Sequence, residues 1–468
     1  MRRTTFPLGK ALAPQIFRLL TRQTDGMRLH EIYDDLLARK GSPLCVALDP
    51  PPERFRSAEE RHDFCVKMLK EVWRYAAAIK VNENFVRGMS ERLHRSLTEE
   101  IRSREMLAIY DCKLNDVEHT AAAGVRTVKE LGYDAFTFNP IFGNSEELAR
   151  EARAVGVHVF SLIHPSSGHS ARIYRTRTQG GPALYEMLLE QSLSAGIEGY
   201  VVGLGAGDDG TVLREVRRRA GEEAVILIPG LGAQGGDPRT AALYGGERIL
   251  TVFGRTVTSA PDPASASREL AGRLGSMREF YTAARALASA EGVVVRSSEP
   301  IRLSSGRLSN YYFDLRALYS DPVNRARVVR AMVSRIRRVL GGERFKVATT
   351  ATAGIPIASL VADRLGAGLV YYRSGSKDHG LGRSIEGVVR PGERFVGVDD
   401  LTTTGSTALA CVRALRELGG VIEHYFVVLD RNEGASELLA SEGVKLDPLC
   451  AVTEEFWQLI DKISRGEV

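Results

Sequence analysis

The sequence predicts an α/β protein in two parts, a (β/α)₈ barrel followed by a second α/β domain. From Met27 onward, eight apolar strand segments alternate with longer amphipathic segments over about 250 residues, the repeat and length of such a barrel. A shorter series of apolar strands follows, and charged side chains gather where strands of both series end. With 468 residues, 44% of them hydrophobic, the chain is long enough for two cores.

Charge and cysteine usage exclude several classes of protein. Five basic residues and one acidic residue lie within positions 1–26, so only about +1 of the formal net charge of +5 belongs to the remainder, which gives little support for a nucleic-acid-binding surface. The five cysteines are scattered without Cys-x-x-Cys spacing, which argues against a disulfide scaffold or zinc site and favours a reducing cytoplasm. No apolar run approaches the roughly 18 residues of a membrane span, so we expect no membrane partner.

The sequence divides into a basic N-terminal extension at 1–26, a barrel at 27–275 and a second domain at 276–468. A basic, acid-poor N-terminus is typical of transit peptides. Residues 15–20, however, offer only a short amphipathic stretch. We therefore favour a disordered arm, or an upstream extension with Met27 as the true start.

Apolar runs place the eight barrel strands in order along the chain. We expect them at residues 44–49, 77–82, 106–111, 134–138, 157–162, 199–203, 224–228 and 248–253.

Charged side chains lie in or just after the first three strands. Asp49 ends the first strand, Lys80 lies in the second, and Asp111 ends the third. Alternation along a strand points Asp111 and Lys113 to the same side, and Asp116 follows where a loop should begin. An Asp-x-Lys-x-x-Asp sequence arises by chance in about one chain in ten of this size, and a surface ion pair is the alternative. At a barrel mouth, buried acids beside a lysine indicate a catalytic site.

The segments after the last two barrel strands predict a phosphate site. Residues 229–237 read PGLGAQGGD, and Gly254-Arg255 follows the eighth strand. Glycines let backbone N–H groups approach a ligand, and barrel phosphate sites typically follow strands seven and eight. Arg255 adds a planar set of donors for a dianion. A tight loop without a ligand is the alternative for the glycines taken alone.

Together these motifs resemble orotidine 5′-phosphate decarboxylases. The matching segments are residues 44–50 (LCVALDP), 78–82 (AIKVN), 111–116 (DCKLND), 229–237 and 254–255, within roughly residues 40–270.

This resemblance implies the roles of four charged residues. Asp49 and Lys80 would hold the ribose hydroxyls and the charge network, Asp111 would lie against the substrate carboxylate, and Lys113 would protonate C6 as carbon dioxide leaves. Loss of carbon dioxide leaves a carbanion at C6 that only a fixed nearby cation can stabilise. Flanking carboxylates favour the charged form of Lys113. We expect no metal or cofactor in this half.

The resemblance also implies a phosphate grip and a shared site. Gln234, Gly254 and Arg255 would bind the phosphate, while Asp116 and Thr120 would reach into the site of a neighbouring subunit. One departure concerns the base: the family usually places Ser or Thr just before the His-Pro pair or its equivalent, and this chain has Ile163 there. The contact with the pyrimidine is then lost or passes to residue 166 or 167, both serines.

A second α/β pattern follows a short polar joint at residues 272–276. Strands are expected at 311–315, 346–349, 368–372, 394–398 and 425–429. Residues 395–407 read FVGVDDLTTTGST, in which an apolar strand leads to Asp399 and Asp400 and then to a turn that opens a helix. Such a turn directs backbone N–H groups at a phosphate, and paired acids suit ribose hydroxyls or hydrated Mg²⁺. A helix cap alone would explain the hydroxyls but not the acids.

This turn resembles the phosphoribosyl-diphosphate motif of type I phosphoribosyltransferases. Residues 303–316 (LSSGRLSNYYFDLR), 373–387 (RSGSKDHGLGRSIEG) and 430–431 (DR) narrow the resemblance to orotate phosphoribosyltransferases, over about residues 277–455.

The second resemblance implies that Lys377 and His379 lie on a mobile loop that closes over the diphosphate, in some cases that of the partner subunit. Arg373 would also contact the diphosphate, although Ser374 stands where many relatives have a second basic residue. Arg431 and the region 312–313 would hold orotate. The 5-phosphate would be bound by the turn residues Thr403, Thr404, Gly405, Ser406 and Thr407.

The two resemblances join into one pathway. Orotate and phosphoribosyl diphosphate would give orotidine 5′-phosphate in a Mg²⁺-dependent step, with the metal held mainly by substrate, and the barrel would then form uridine 5′-phosphate. We expect a cytoplasmic homodimer or larger homo-oligomer without nucleic-acid or membrane partners. The alternatives are a barrel acting on another sugar phosphate, and a phosphoribosyltransferase fold that serves as an RNA-binding regulator.

Overall fold

The computed structural model describes residues 26–51, 53–302, 308–374 and 384–468, and its architecture is the predicted α/β pair. The chain divides between Ala271 and Gly272 into two compact units, each with its own sheet. In the described ranges, no helix has the length and apolar character needed to cross a bilayer.

The N-terminal unit is a closed barrel of eight parallel strands in sequence order. All eight predicted strands are present, with ends that differ from the prediction by at most three residues. They are β1 Leu44–Leu48, β2 Ala78–Asn82, β3 Leu107–Leu114, β4 Ala135–Phe138, β5 His158–His164, β6 Gly199–Val202, β7 Val225–Ile228 and β8 Ile249–Phe253.

Helices surround the barrel. They are α1 Leu29–Lys40, α2 Ala58–Val72, α3 Glu83–Val86, α4 Glu91–Ser103, α5 Glu118–Glu130, α6 Ser145–Val155, α7 Gly168–Arg175, α8 Leu184–Ser194, α9 Thr211–Ala220, α10 Pro238–Gly245, α11 Arg255–Thr258 and α12 Pro263–Ser289, with a 3₁₀ turn at Pro140–Phe142.

Helix α1 covers the N-terminal end of the barrel. Its buried residues Leu29, Ile32 and Leu36 pack in one cluster with apolar side chains of the strands. The Tyr33 hydroxyl donates to the carbonyl of Glu247, just before β8. Because this end is closed, the carboxyl ends of the strands are left for ligand binding.

The C-terminal unit has a six-stranded sheet in the order β13-β12-β11-β14-β15-β16, in which only the β12–β13 pair is antiparallel. A separate antiparallel pair, β9 and β10, precedes it. The strands are β9 Val294–Arg302, β10 Leu308–Phe313, β11 Lys346–Thr350, β12 Leu369–Tyr372, β13 Ile385–Glu386, β14 Arg394–Thr402, β15 Val421–Asp430 and β16 Lys445–Ala451. The helices are α13 Pro322–Leu340, α14 Ile355–Leu365, α15 Ser406–Glu417, α16 Ala435–Ala440 and α17 Glu454–Ser464, with a 3₁₀ turn at Ala317–Ser320.

The predicted joint at residues 272–276 begins where the two units divide, but these residues lie inside α12 and do not form a separate linker. Ala271 and Leu274 are buried there, so the apolar pattern of the helix continues through the polar stretch. A glycine inside a helix costs only about 1 kcal/mol, which such packing can offset. The five strands predicted for this unit are present, whereas β9, β13 and β16 were missed.

Candidate active sites

Asp111 is the centre of a polar cluster at the carboxyl end of the barrel. Its Oδ2 accepts hydrogen bonds from Lys80 Nζ at 2.5 Å and Asn82 Nδ2 at 3.4 Å. Its Oδ1 accepts from Lys113 Nζ at 2.8 Å and Thr137 Oγ1 at 2.9 Å. Asp111 and Lys80 are buried, whereas the Lys113 side chain is 48% exposed. One carboxylate therefore holds a buried lysine on one side and a lysine open to the barrel mouth on the other.

Burial and neighbouring charges shift the pKa values of Asp111 and Lys80 in opposite directions. Burial raises the pKa of the Asp111 carboxyl, but Lys80 and Lys113 lower it more, and the net pKa lies well below its ordinary value. Burial lowers the pKa of Lys80, yet Asp111 and Asp49 raise it above its ordinary value. Asp111 and Lys80 therefore both stay charged at neutral pH.

Asp49 is a second carboxylate that faces the same cluster. Burial raises the pKa of its carboxyl, and the charge of Lys80 lowers it. Its Oδ1 is buried and has no hydrogen-bond partner among the described residues. An unsatisfied buried acceptor suits a ligand hydroxyl, as a ribose would supply.

The regular pairing of β3 with β4 is interrupted at Asp111 and Lys113. Tyr110 pairs with Phe136, but the next pair is Leu114 with Phe138. Residues 111–113 therefore bulge opposite Thr137, and Lys113 adopts a φ of 47°. β3 extends through the bulge to Leu114, past the predicted end at 111, and Lys113 Nζ lies on the same side as Asp111, as predicted, although the strand is irregular there.

The loop after β7 and the start of α11 form a second, glycine-lined part of the barrel mouth. Gly230 has a φ of 97°, and a Cβ there would lie 2.1 Å from the carbonyl oxygen of Leu204. Gln234 and Arg255 are both exposed, and Arg255 begins α11. A Cβ on Gly254 would lie 3.7 Å from Asp49 Oδ2, so the eighth strand end adjoins the acid cluster.

Two residues assigned to the decarboxylase site stand apart from the cluster. Asp116 accepts a hydrogen bond from the backbone N–H of Val117 at 2.7 Å. Thr120 lies exposed in the first turn of α5. Within the described ranges, no hydrogen bond or ion pair joins either residue to Lys113 of the same chain.

The residues at the end of β5 decide which side chain can contact the pyrimidine, because the family's usual Ser or Thr is replaced by Ile163. Ile163 is fully buried and apolar. Ser166 is half-buried. It lies at the ends of β6 and β7, since a Cβ on Gly230 would lie 2.6 Å from Ser166 Cβ. Ser167 is exposed. Of the two serines considered for the base contact, Ser166 is the one at the barrel mouth.

In the second unit, a cavity of about 340 Å³ lies at the carboxyl ends of β11 and β14. It is lined by Tyr312, Phe313, Asp314, Leu315, Arg316, Thr350, Ala351, Thr352, Ala353, Asp399, Asp400, Leu401, Thr402, Thr403, Gly405, Ser406, Thr407, Ala408 and Tyr425. Both predicted acids, most of the predicted phosphate turn and the region 312–313 therefore share one cavity.

Asp399 is held by hydroxyl groups from the neighbouring strands. Its Oδ2 accepts from Thr350 Oγ1 at 2.5 Å and from the Tyr425 hydroxyl at 3.0 Å, and its Oδ1 accepts from the backbone N–H of Asp400 at 3.2 Å. Asp400 Oδ1 accepts from the N–H of Leu401 at 2.8 Å. Burial raises the pKa of both carboxyls, and the charge of Asp400 raises that of Asp399 further.

The phosphate turn opens α15. Gly405 has a φ of 81° and is followed by Ser406, the first residue of the helix. Thr404 Oγ1 lies 3.3 Å from Ser406 Oγ. The helix start supplies N–H groups and a positive dipole end, as predicted for a phosphate.

Of the basic residues predicted for this site, the structure describes Arg431 and Arg373. Arg431 is buried, donates from Nε to Glu433 Oε1 at 2.9 Å, and has its guanidinium carbon 5.1 Å from the ring centre of Tyr311. Arg373 is paired with Glu386 at 3.4 Å. The predicted loop residues Lys377 and His379 lie outside the described residues.

Four residues that hydrogen-bond to Asp111 or Asp399 were not predicted from the sequence as site residues. They are Asn82, Thr137, Thr350 and Tyr425. Each reaches its acid from a neighbouring strand, so only the register of the sheets reveals the contact. A weak signal existed at Thr137, a hydroxyl near the carboxyl end of a predicted strand.

Two family descriptions match the chain. The orotidine 5′-phosphate decarboxylase / HUMPS family matches residues 42–270, and the phosphoribosyl transferase domain matches residues 319–449.

Curated relatives match the C-terminal part. Orotate phosphoribosyltransferase of Pyrococcus abyssi is 38% identical over 154 residues, 33% of this chain and 84% of that protein. The Cenarchaeum symbiosum enzyme of the same name is 39% identical over 153 residues, 32% of this chain and 76% of that protein. The structure of Leishmania donovani UMP synthase is 26% identical, covers 94% of this chain and 96% of that one, and has a TM-score of 0.49. On the identity and coverage of these two enzymes, the chain belongs to the orotate phosphoribosyltransferase family, and its residues 42–270 match the orotidine 5′-phosphate decarboxylase / HUMPS family.

Proposed function

We propose that this chain catalyses two successive steps of pyrimidine biosynthesis, forming orotidine 5′-phosphate in the C-terminal unit and decarboxylating it in the barrel. The observation that carries the proposal is the Lys113 ammonium, held 2.8 Å from Asp111 Oδ1 at the same end of the barrel as the glycine-lined loop. The second unit supplies the preceding reaction through its acid-lined cavity.

In the C-terminal unit, N1 of orotate loses its proton to water and attacks C1 of phosphoribosyl diphosphate, the C1–oxygen bond breaks, and the diphosphate leaves. The turn at residues 403–407 binds the 5-phosphate through the start of α15, and Asp400 accepts hydrogen bonds from the ribose hydroxyls. Arg431 pairs with the orotate carboxylate, and Arg373, Lys377 and His379 neutralise the diphosphate.

The donor groups of this site suit a magnesium ion that is held mainly by the diphosphate. In the described ranges, no three His, Cys, Asp or Glu side chains are grouped as a metal site. The two adjacent buried carboxylates can still bind water molecules of a hydrated ion. When bound, Mg²⁺ neutralises charge on the leaving diphosphate. A chelator is therefore expected to stop the first step and leave decarboxylation unchanged.

In the barrel, the C6–carboxylate bond of orotidine 5′-phosphate breaks, carbon dioxide leaves, and the electron pair remains on C6. Lys113 donates a proton to C6 and regains one from water. Asp111 and Lys80 fix its position, Asp49 Oδ1 accepts from a ribose hydroxyl, and Gln234, Gly254 and Arg255 bind the phosphate. The fixed cation stabilises the charge that develops at C6.

We further propose that decarboxylase sites are shared within a cytoplasmic homodimer or larger homo-oligomer. Within the described residues, no hydrogen bond or ion pair joins Asp116 or Thr120 to Lys113 of the same chain, which supports a role in a neighbouring site. When inactive Lys113→Ala and inactive Asp116→Ala proteins exchange subunits at random, about a quarter of wild-type activity should return. Confirmed exchange without recovery would mean that each barrel builds its site alone.

The direct test of the barrel's substrate compares orotidine 5′-phosphate with a sugar phosphate that lacks a pyrimidine. We expect release of carbon dioxide from the nucleotide and no turnover of the sugar phosphate; the reverse would favour the alternative barrel chemistry. Salt-dependent retention of RNA by the purified protein would favour the regulator instead.

A further inference from the structure

A single hydroxyl group on β4 contacts both members of the acid–lysine pair. Thr137 Oγ1 donates to Asp111 Oδ1 at 2.9 Å and accepts from the backbone N–H of Lys113 at 2.8 Å. A hydroxyl has one hydrogen to donate and two lone pairs, so both bonds form at once. Asp111 Oδ1 also accepts from Lys113 Nζ at 2.8 Å, which closes a ring through the lysine backbone, the hydroxyl, the carboxylate and the ammonium.

The bulge in β3 explains why the lysine needs this hydroxyl. Between the pairs Tyr110–Phe136 and Leu114–Phe138, residues 111–113 have only Thr137 opposite them. The Lys113 N–H consequently bonds to a side chain. Lys113 also has a φ of 47°, a conformation that residues with a Cβ rarely adopt and that surrounding bonds must hold.

Thr137 is also shielded from solvent. It is 3% exposed, so loss of its hydroxyl would leave Lys113 N–H and one lone pair of Asp111 without a ready replacement. Thr137 itself is buried, whereas the Lys113 side chain is half exposed at the barrel mouth.

We propose that Thr137 is a positioning residue for decarboxylation, which holds the Lys113 backbone and the Asp111 carboxylate in one fixed arrangement. This inference rests on the proposed roles of Asp111 and Lys113. It predicts an effect on the chemical step with little effect on substrate binding, because the phosphate contacts and the Asp49 contact to the ribose lie on β1, on the loop after β7 and at the end of β8.

The test uses two variants of the full-length protein. Thr137→Val keeps the branched shape and removes the hydroxyl, whereas Thr137→Ser keeps the hydroxyl and removes a methyl group. A misplacement of about 1 Å at a reacting group can cost roughly 100-fold in rate. We therefore expect Thr137→Val to lower kcat for orotidine 5′-phosphate by about 10- to 100-fold with KM changed by less than about threefold, and Thr137→Ser to restore kcat to within about threefold of wild type.

Two internal measurements separate positioning from loss of structure. Affinity for uridine 5′-phosphate reports on the ribose and phosphate contacts of the barrel, and phosphoribosyl transfer by the same chain reports on the other unit; both should stay at wild-type values. A Thr137→Val protein that keeps kcat would overturn the inference, as would equal losses in the two variants or parallel losses of kcat and nucleotide affinity. Lys113→Ala is measured alongside: if that variant still decarboxylates, the proposed function itself is wrong, whereas an inactive Lys113→Ala beside an unaffected Thr137→Val removes only this inference.

Discussion

Asp111 carries the only negative charge in direct contact with both Lys80 and Lys113 among the described residues. Its lowered pKa means that its contribution to stability is complete above the unfolded-state pKa of about 4 and is lost as the pH falls below that value. The raised pKa of Lys80 means that its contribution is complete below about pH 10 and is lost as the pH rises past its folded pKa. The pair should therefore be intact throughout the neutral range.

Asp111→Asn should lower the free energy of unfolding of the barrel by about 3 kcal/mol at pH 7, because it leaves the Lys80 ammonium buried without its nearest anion. Urea unfolding followed by barrel-specific fluorescence or hydrogen exchange would measure this loss. The double variant Asp111→Asn/Lys80→Met removes both charges and should recover much of it. An Asp111→Asn protein as stable as wild type would contradict the account of the cluster.

At the scale of single residues, the sequence was sufficient to predict the acids and lysines of the two clusters but not the residues that hydrogen-bond to them. Alternation along one strand predicted that Asp111 and Lys113 would meet, and the 2.8 Å contact confirms it. Thr137 and Tyr425 reach their acids across strand pairs, and a bulge or a sheet order cannot be read from one segment. Lys377 and His379 remain predictions.

Among the elements, the loop between β11 and α14 sets the position of the acid pair. A Cβ on Gly354 would lie 1.9 Å from Asp399 Oδ1 and 2.3 Å from Thr349 Oγ1. The backbone of Gly354 is not itself strained, with a φ of −76°. Glycine is therefore required there by space alone.

Gly354→Ala should displace Asp399 and lower phosphoribosyl transfer by about 100-fold or more, because overpacking shifts a group that must be held to within a fraction of an ångström. Decarboxylation of supplied orotidine 5′-phosphate should be unchanged. Gly342→Ala is the matched control, since a Cβ there would meet nothing within 4 Å. Transfer activity that survives in Gly354→Ala would show that the acid pair is not the site of the reaction.

Element prediction succeeded where hydrophobic patterns are strong. The barrel strands are buried on both faces and read as apolar runs, so all eight were found. Strands β9, β13 and β16 were missed because β9 is rich in charged and polar residues, β13 has two residues, and β16 contains Asp447 and Pro448. The glycines and polar residues at 272–276 mark the division between the units, but they do not interrupt α12, because the buried Ala271 and Leu274 continue its apolar face.

For the whole molecule, the two units carry separate sets of candidate catalytic residues. The described parts of the barrel cluster and of the acid-lined cavity belong to different sheets, and no residue is common to both. Each unit can therefore serve as a control for the other in a variant of the intact chain.

The most direct test of the two-step proposal follows orotate, phosphoribosyl diphosphate and Mg²⁺ to products with orotidine 5′-phosphate resolved from uridine 5′-phosphate. The wild-type chain should form uridine 5′-phosphate. Lys113→Ala should stop at orotidine 5′-phosphate, which accumulates, because the cation at C6 is lost. Asp400→Ala should leave orotate unconverted yet decarboxylate supplied orotidine 5′-phosphate at the wild-type rate. Loss of the first step in a folded Lys113→Ala protein, or loss of decarboxylation in a folded Asp400→Ala protein, would contradict the assignment of the two reactions to the two units.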